Sequence, residues 1–181
     1  MAAIRGRSIG TAGLVVVLGV AAVGGWLLRD RFNGRAESRA AITKACEGLV
    51  DPDALMRFAG GERKVEAEPP ADRVCLLSRE VTFEGEDHMA DFFSLSVVAS
   101  KEAEPGESRF GFTARTVTVT AKCADPVRSK GVTALRVTAG AEFEAAIRGE
   151  PGALPSLARE AALRAAVKAG CQTTLPTAPK L

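Results

Sequence analysis

Between Ile9 and Leu28 the chain runs for twenty residues without a charged side chain. At a helical rise of ~1.5 Å per residue this segment spans roughly 30 Å, the thickness of a bilayer's hydrocarbon core. Core helices of globular domains are usually shorter and keep a polar face, so the segment is expected to be a single transmembrane helix. Arg5 and Arg7 precede it, Arg29, Asp30 and Arg31 follow, and Trp26 lies within one turn of the second end. An indole at that depth sits among lipid headgroups.

A cleavable signal peptide is the competing reading, because Ala22-Val23-Gly24 has the small-x-small form of a processing site. The apolar run outlasts a typical signal core of ~7–15 residues and continues through Leu28, which favours a retained signal anchor. No cysteine follows the run closely, as a lipid-modified anchor would require. Flanking charge is ambiguous about orientation. Arg5 and Arg7 hold the N-terminus in the cytoplasm, whereas Arg29, Arg31, Arg35 and Arg39 argue for retaining the opposite side. Long domains cross largely regardless of such charges, and the cysteine pattern suits an oxidising compartment. The expectation is a single-pass protein of the cell membrane, in contact with lipid through residues 9–28. Residues 1–8 are expected in the cytoplasm and the C-terminal domain outside the cell.

Four cysteines, Cys46, Cys75, Cys123 and Cys171, all follow the apolar segment. None forms a Cys-x-x-Cys pair, and the chain has one histidine, His88, so redox and zinc motifs are poorly supplied. Two structural disulfides are expected. Four cysteines allow three connectivities, and sequence alone selects none of them. We take Cys46–Cys75 with Cys123–Cys171, each closing a loop within one half of the chain, as the working expectation.

The net charge of +2 conceals an asymmetry. Arg5, Arg7, Arg29, Arg31, Arg35, Arg39 and Lys44 hold seven of the 24 basic residues but are accompanied by only Asp30 and Glu37 of the 22 acidic ones. The remainder is therefore acidic, which offers no electrostatic footprint for nucleic acid. The positive excess lies where it would meet headgroups or solvent.

Residues 29–40 read as a polar stalk, 41–172 as a folded α+β domain, and 173–181 as a disordered tail. Asp51-Pro52-Asp53 before Ala54, Leu55, Met56 and Phe58 has the form of a helix start, and Gly60-Gly61 of its end. Alternation places Cys75, Leu77, Val81 and Phe83 on one side of a strand and Phe93, Leu95, Val97 and Ala99 on one side of another. The polar stretch Glu84–His88 between them predicts a hairpin. A third strand over 115–123 directs Val117, Val119, Ala121 and Cys123 inward and Thr116, Thr118, Thr120 and Lys122 outward. A fourth follows near 132–138. Residues 154–169 form a helix with Glu160, Arg164 and Lys168 on its wet face and Ala158, Ala162, Ala165, Ala166 and Ala169 opposite. Segments 66–73 and 101–108, rich in Glu, Pro and Gly, read as mobile.

No catalytic residue, metal ligand set or cofactor site is assigned. Glu84, Glu86, Asp87 and His88 gather oxygen donors around the one imidazole, yet their spacing matches no calcium loop and a solvated turn accounts for them. No Gly-x-Ser-x-Gly elbow and no phosphate-cradling glycine loop is present. The chain has no tyrosine, and its one tryptophan belongs to the apolar segment. Aromatic stacking surfaces for sugars or single strands are thereby disfavoured, and Phe92 and Phe93 are assigned to the hairpin.

The segments Ala45-Cys46-Glu47-Gly48-Leu49-Val50, Cys123-Ala124-Asp125-Pro126 and the Ala-rich helix closing on Gly170-Cys171 resemble uncharacterised membrane-anchored or secreted proteins of high-GC Gram-positive bacteria. That resemblance implies a disulfide-bonded α+β domain in the cell envelope and no assigned activity. The expected function is non-enzymatic: a signal anchor presenting a domain that binds an envelope protein or another envelope component. An extracytoplasmic hydrolase or metal-dependent enzyme using His88, and a small-ligand sensor or carrier with a cleft beside the hairpin, are the alternatives.

Overall fold

The computed structural model describes residues 34–61, 64–68, 75–102, 106–113, 115–125, 127–141 and 153–178. The expected transmembrane segment, 9–28, lies outside them. Among the described residues no helix is long and apolar enough to cross a membrane.

A six-stranded antiparallel sheet forms one layer of the unit Glu37–Leu181, and helices cover one of its faces, an α+β arrangement. The strands are β1 (Val65–Glu68), β2 (Cys75–Phe83), β3 (Glu86–Ser100), β4 (Arg109–Phe112), β5 (Thr116–Lys122) and β6 (Ala134–Ala141). Their spatial order is β1-β2-β3-β6-β5-β4. Two three-stranded meanders therefore meet where β6 pairs with β3, and the chain crosses from the centre to the far edge between β3 and β4. The described helices are α1 (34–45), α2 (Pro52–Phe58) and α3 (Ala153–Lys168).

Alternation builds the core. Cys75 and Leu77 on β2, Phe93 and Leu95 on β3, Val117, Val119 and Ala121 on β5, and Leu135, Val137 and Ala139 on β6 are all buried. A bulge between Leu77 and Ser78 breaks the β2–β3 register: Leu77 faces Phe93, but Ser78 faces Asp91. Phe92 is left over, and both phenylalanines join the core. Phe58 of α2 meets Phe93 edge-on at 6.4 Å. The Glu84-Gly85 turn has positive φ at both residues, as a two-residue hairpin with the sheet's twist requires.

Helix α2 begins where Asp51 accepts the Asp53 N–H at 2.9 Å with Pro52 at the first position, and it ends before Gly60 and Gly61, both at positive φ. Helix α3 lies on β5 and β6 through Pro155, Leu157, Ala158, Ala161, Ala162, Ala165 and Ala166. Such short side chains let its axis approach the sheet closely. Its far side is not simply wet. The Arg164 guanidinium donates to Gly48 O at 3.0 Å and to Glu160 at 2.5 Å, and Lys168 donates to Glu47 O at 2.6 Å. Two cations of α3 thus satisfy carbonyls left open at the end of α1.

The disulfides join Cys46 to Cys75 and Cys123 to Cys171, with Cα–Cα distances of 4.8 and 4.9 Å. Each fastens the end of a helix to a strand of the sheet. Such bonds form and persist in oxidising compartments, which sets the environment in which this domain matures.

Three expectations about segment boundaries need correction. Residues 37–40, read as stalk, belong to the compact unit; Ser38 is buried and its hydroxyl accepts the Val65 N–H at 3.3 Å. Residues 66–68, read as mobile, complete β1 against β2. The tail is laid against the domain over 173–178 instead of being disordered. The Arg159 Nε donates to Pro176 O at 2.9 Å, the Thr173 hydroxyl lies 3.5 Å from that of Ser108, and Leu175 packs against the core.

Candidate functional site

The segment Glu84–His88 forms the exposed tip of the β2–β3 ribbon. Glu86 and His88 are exposed, their side chains 3.9 Å apart, and Asp87 accepts from the Thr82 hydroxyl at 2.8 Å. The ribbon stands clear of its neighbours, with Phe83 65% exposed at the tip. Among the described residues, no three His, Cys, Asp or Glu side chains are gathered as a metal-binding group.

A cleft of about 860 Å³ opens elsewhere, at the end of the sheet beside β4. One wall is Gly106, Glu107 and Ser108, which lead into β4; the floor includes Lys122 and Ala124. The opposite wall is the C-terminal segment from Gln172 to Pro176. Local bonds explain its shape. The Ser108 hydroxyl accepts the Lys122 N–H at 3.1 Å and lies 3.5 Å from the Thr173 hydroxyl. The Ala124 N–H donates to Gln172 O at 2.9 Å, directly after the Cys123–Cys171 bond. The disulfide therefore holds the C-terminal wall, and the Ser108–Lys122 bond the other wall, to the same end of β5. Peptide groups, hydroxyls and one charge of each sign line the space, which equips it for hydrogen bonding to a polar partner.

Lys122 also belongs to the sheet face that, among the described residues, carries no helix. On that face Thr116, Thr118 and Thr120 of β5 stand beside Gly140, Thr138 and Arg136 of β6 in the register, and Ser94 and Ser96 of β3 come next. The Thr118 and Thr138 hydroxyls are 3.1 Å apart. Arg109 is opposite Thr120 on the other side. The result is a hydroxyl-rich plane with cationic side chains around it, continuous with the cleft.

The two edges of the sheet differ. At β1, Lys64, just before the strand, donates to the Glu66 carboxylate at 2.6 Å, and that bond raises the Lys64 pKa above its ordinary value. Charge of this kind discourages further strand addition. On β4, Phe110 and Phe112 stack at 6.0 Å with an interplanar angle of 12°, and Phe112 is 45% exposed.

Sequence reasoning assigned none of the cleft residues a role. Ser108, Lys122 and Thr173 lie far apart in the chain and form no spaced motif; a disulfide and two backbone bonds bring them together. No family model, curated protein or solved structure matches this chain.

Proposed function

We propose that the chain is a single-pass membrane protein whose disulfide-bonded domain, outside the cytoplasm, binds a protein or another component of the cell envelope and catalyses no reaction of its own. The cleft beside β4 carries this reading. It is open, it sets the Glu107 and Lys122 charges and the Ser108 and Thr173 hydroxyls beside the apolar Leu175 and Pro176, and it is continuous with a sheet face on which hydroxyls and cations are arrayed in register. Residues 9–28 serve as the anchor, and the disulfides support placing the domain on the oxidising side.

The test uses the full chain in intact cells, with a photo-crosslinking amino acid replacing Ser108. A discrete adduct is expected, and it should disappear when Thr173→Trp fills the cleft. Failure to obtain any adduct, or an adduct indifferent to the Trp substitution, would overturn the assignment. In the same cells, external protease should remove the domain, and alkaline carbonate should leave the chain in the membrane fraction. Protection from the protease would place the domain on the wrong side of the bilayer.

A further inference from the structure

Gly111 occupies the middle of the edge strand β4 for no reason found within its own protomer. Its φ is not in the left-handed region, and a Cβ there would meet nothing closer than Thr118 O at 3.8 Å, an ordinary contact. Glycine inside a strand weakens it, and one recurrent reason for its presence is the close approach of another backbone.

The hydrogen-bond phase of β4 shows which groups face that approach. Thr113 donates its N–H to Thr116 O at 2.9 Å, continuing the β4–β5 register. Hydrogen-bonded pairs alternate in an antiparallel ladder, so Gly111 with Thr118 and Arg109 with Thr120 are bonded inward. The peptide groups of Phe110 and Phe112 then point outward, along the open edge.

From this we infer that β4 pairs antiparallel with β4 of a second copy of the chain, about a dyad passing beside Gly111. That register sets Phe110 opposite Phe112 of the second copy, and their outward N–H and C=O groups bond reciprocally on either side of the dyad. Gly111 faces its own equivalent as a non-hydrogen-bonded pair, where Cα atoms approach to about 4.5 Å. The stacked phenylalanines of both copies meet on the helix-bearing face and cover the exposed ring of Phe112. Arg109 falls opposite Thr113, so no like charges oppose one another across the new ladder. The edge is self-complementary, as an isologous interface must be. Edge β1, with Glu66 paired to Lys64 just before it, is closed to the same use.

The experiment exploits the dyad. Full-length chain in detergent micelles is examined by sedimentation velocity as wild type, as Gly111→Glu, as Gly111→Lys, and as an equimolar mixture of the two variants. Like charges directly opposed weaken cross-strand pairing, and opposite charges support it. The wild type is expected to be a dimer and each variant alone a monomer. The mixture should associate about tenfold more tightly than either variant by itself. Far-UV circular dichroism and intact disulfides should be unchanged in both, since a Cβ there makes only ordinary van der Waals contact with Thr118. A monomeric wild type, a dimer that persists in both single variants, or a mixture that fails to associate would each overturn the pairing.

Discussion

Gly170 shows how much one residue can decide. It follows α3 with φ +67°, Cys171 N–H reaches back to Ala166 O at 2.8 Å, and Gly170 N–H reaches Val167 O at 3.1 Å, the two bonds of a Schellman ending. A Cβ at this position would lie 2.8 Å from Arg128 O, which is backbone and cannot swing aside. Gly170→Ala should therefore cost about 1–2 kcal/mol from left-handed strain alone, with the clash added. Urea unfolding with an unchanged m-value would measure it, and a loss below half a kcal/mol would contradict the geometry. Arg79 teaches a different lesson at this scale. It shares parity with Cys75 and Leu77, so alternation already turned it inward, yet a cation on a core face looks like an exception to be ignored. The structure buries it and has its guanidinium donate to Ala59 O, at the end of α2. The pattern was legible in the sequence; the partner, twenty residues away, was not.

Among elements, legibility tracked length and regularity. Strands β2, β3 and β5 carry alternating apolar residues over seven positions or more, and the inward set of β5 emerges as read. Of the sets read as inward on β2 and β3, only Cys75, Leu77, Phe93 and Leu95 are buried. Phe83 and Ala99 are exposed, Phe83 because the hairpin extends beyond the covered part of the sheet. Strands β1 and β4 have four residues each, too few for a period to register. The bulge at Phe92 also escaped, because an extra residue leaves no mark on a pattern that merely restarts beyond it. Helix α3 was visible, and its wet face was partly misread because the acceptors for Arg164 and Lys168 lie in a distant turn. Its opposite face supplies the test. Ala162 is fully buried against a sheet approached closely enough to admit only short side chains. Ala162→Leu should destabilise by roughly 1–3 kcal/mol through overpacking, whereas Val167→Leu on the exposed face should change stability by less than about 0.5 kcal/mol. Equal midpoints for the two variants in chemical unfolding would refute this packing.

At the scale of the molecule the disulfides close loops of 29 and 48 residues in sequence separation, tying each half to the shared sheet. The chain-entropy model assigns each bond about 4 kcal/mol. Reduction should therefore lower the thermal midpoint steeply, and Cys46→Ala/Cys75→Ala and Cys123→Ala/Cys171→Ala should each reproduce part of that loss. The second pair should also loosen the cleft, seen as faster amide exchange over 172–176, while the first leaves exchange there unaltered. Identical exchange in both variants would mean that the Cys123–Cys171 bond does not organise the cleft. Architecture of this breadth was largely readable from the chain, since cysteine spacing and alternation are local records of a global plan. The cleft was not, because no stretch of sequence contains it.

The Cys46–Cys75 bond has a mechanical corollary. Tension applied through the N-terminal segment reaches Cys46 at the end of α1 and is shunted at once, through sulfur, into a strand in the body of the sheet. Everything from Glu47 to Val74 is bypassed and bears no load. A pull on α1 would thus act on the strand ladder directly, in place of first unravelling α2 and β1.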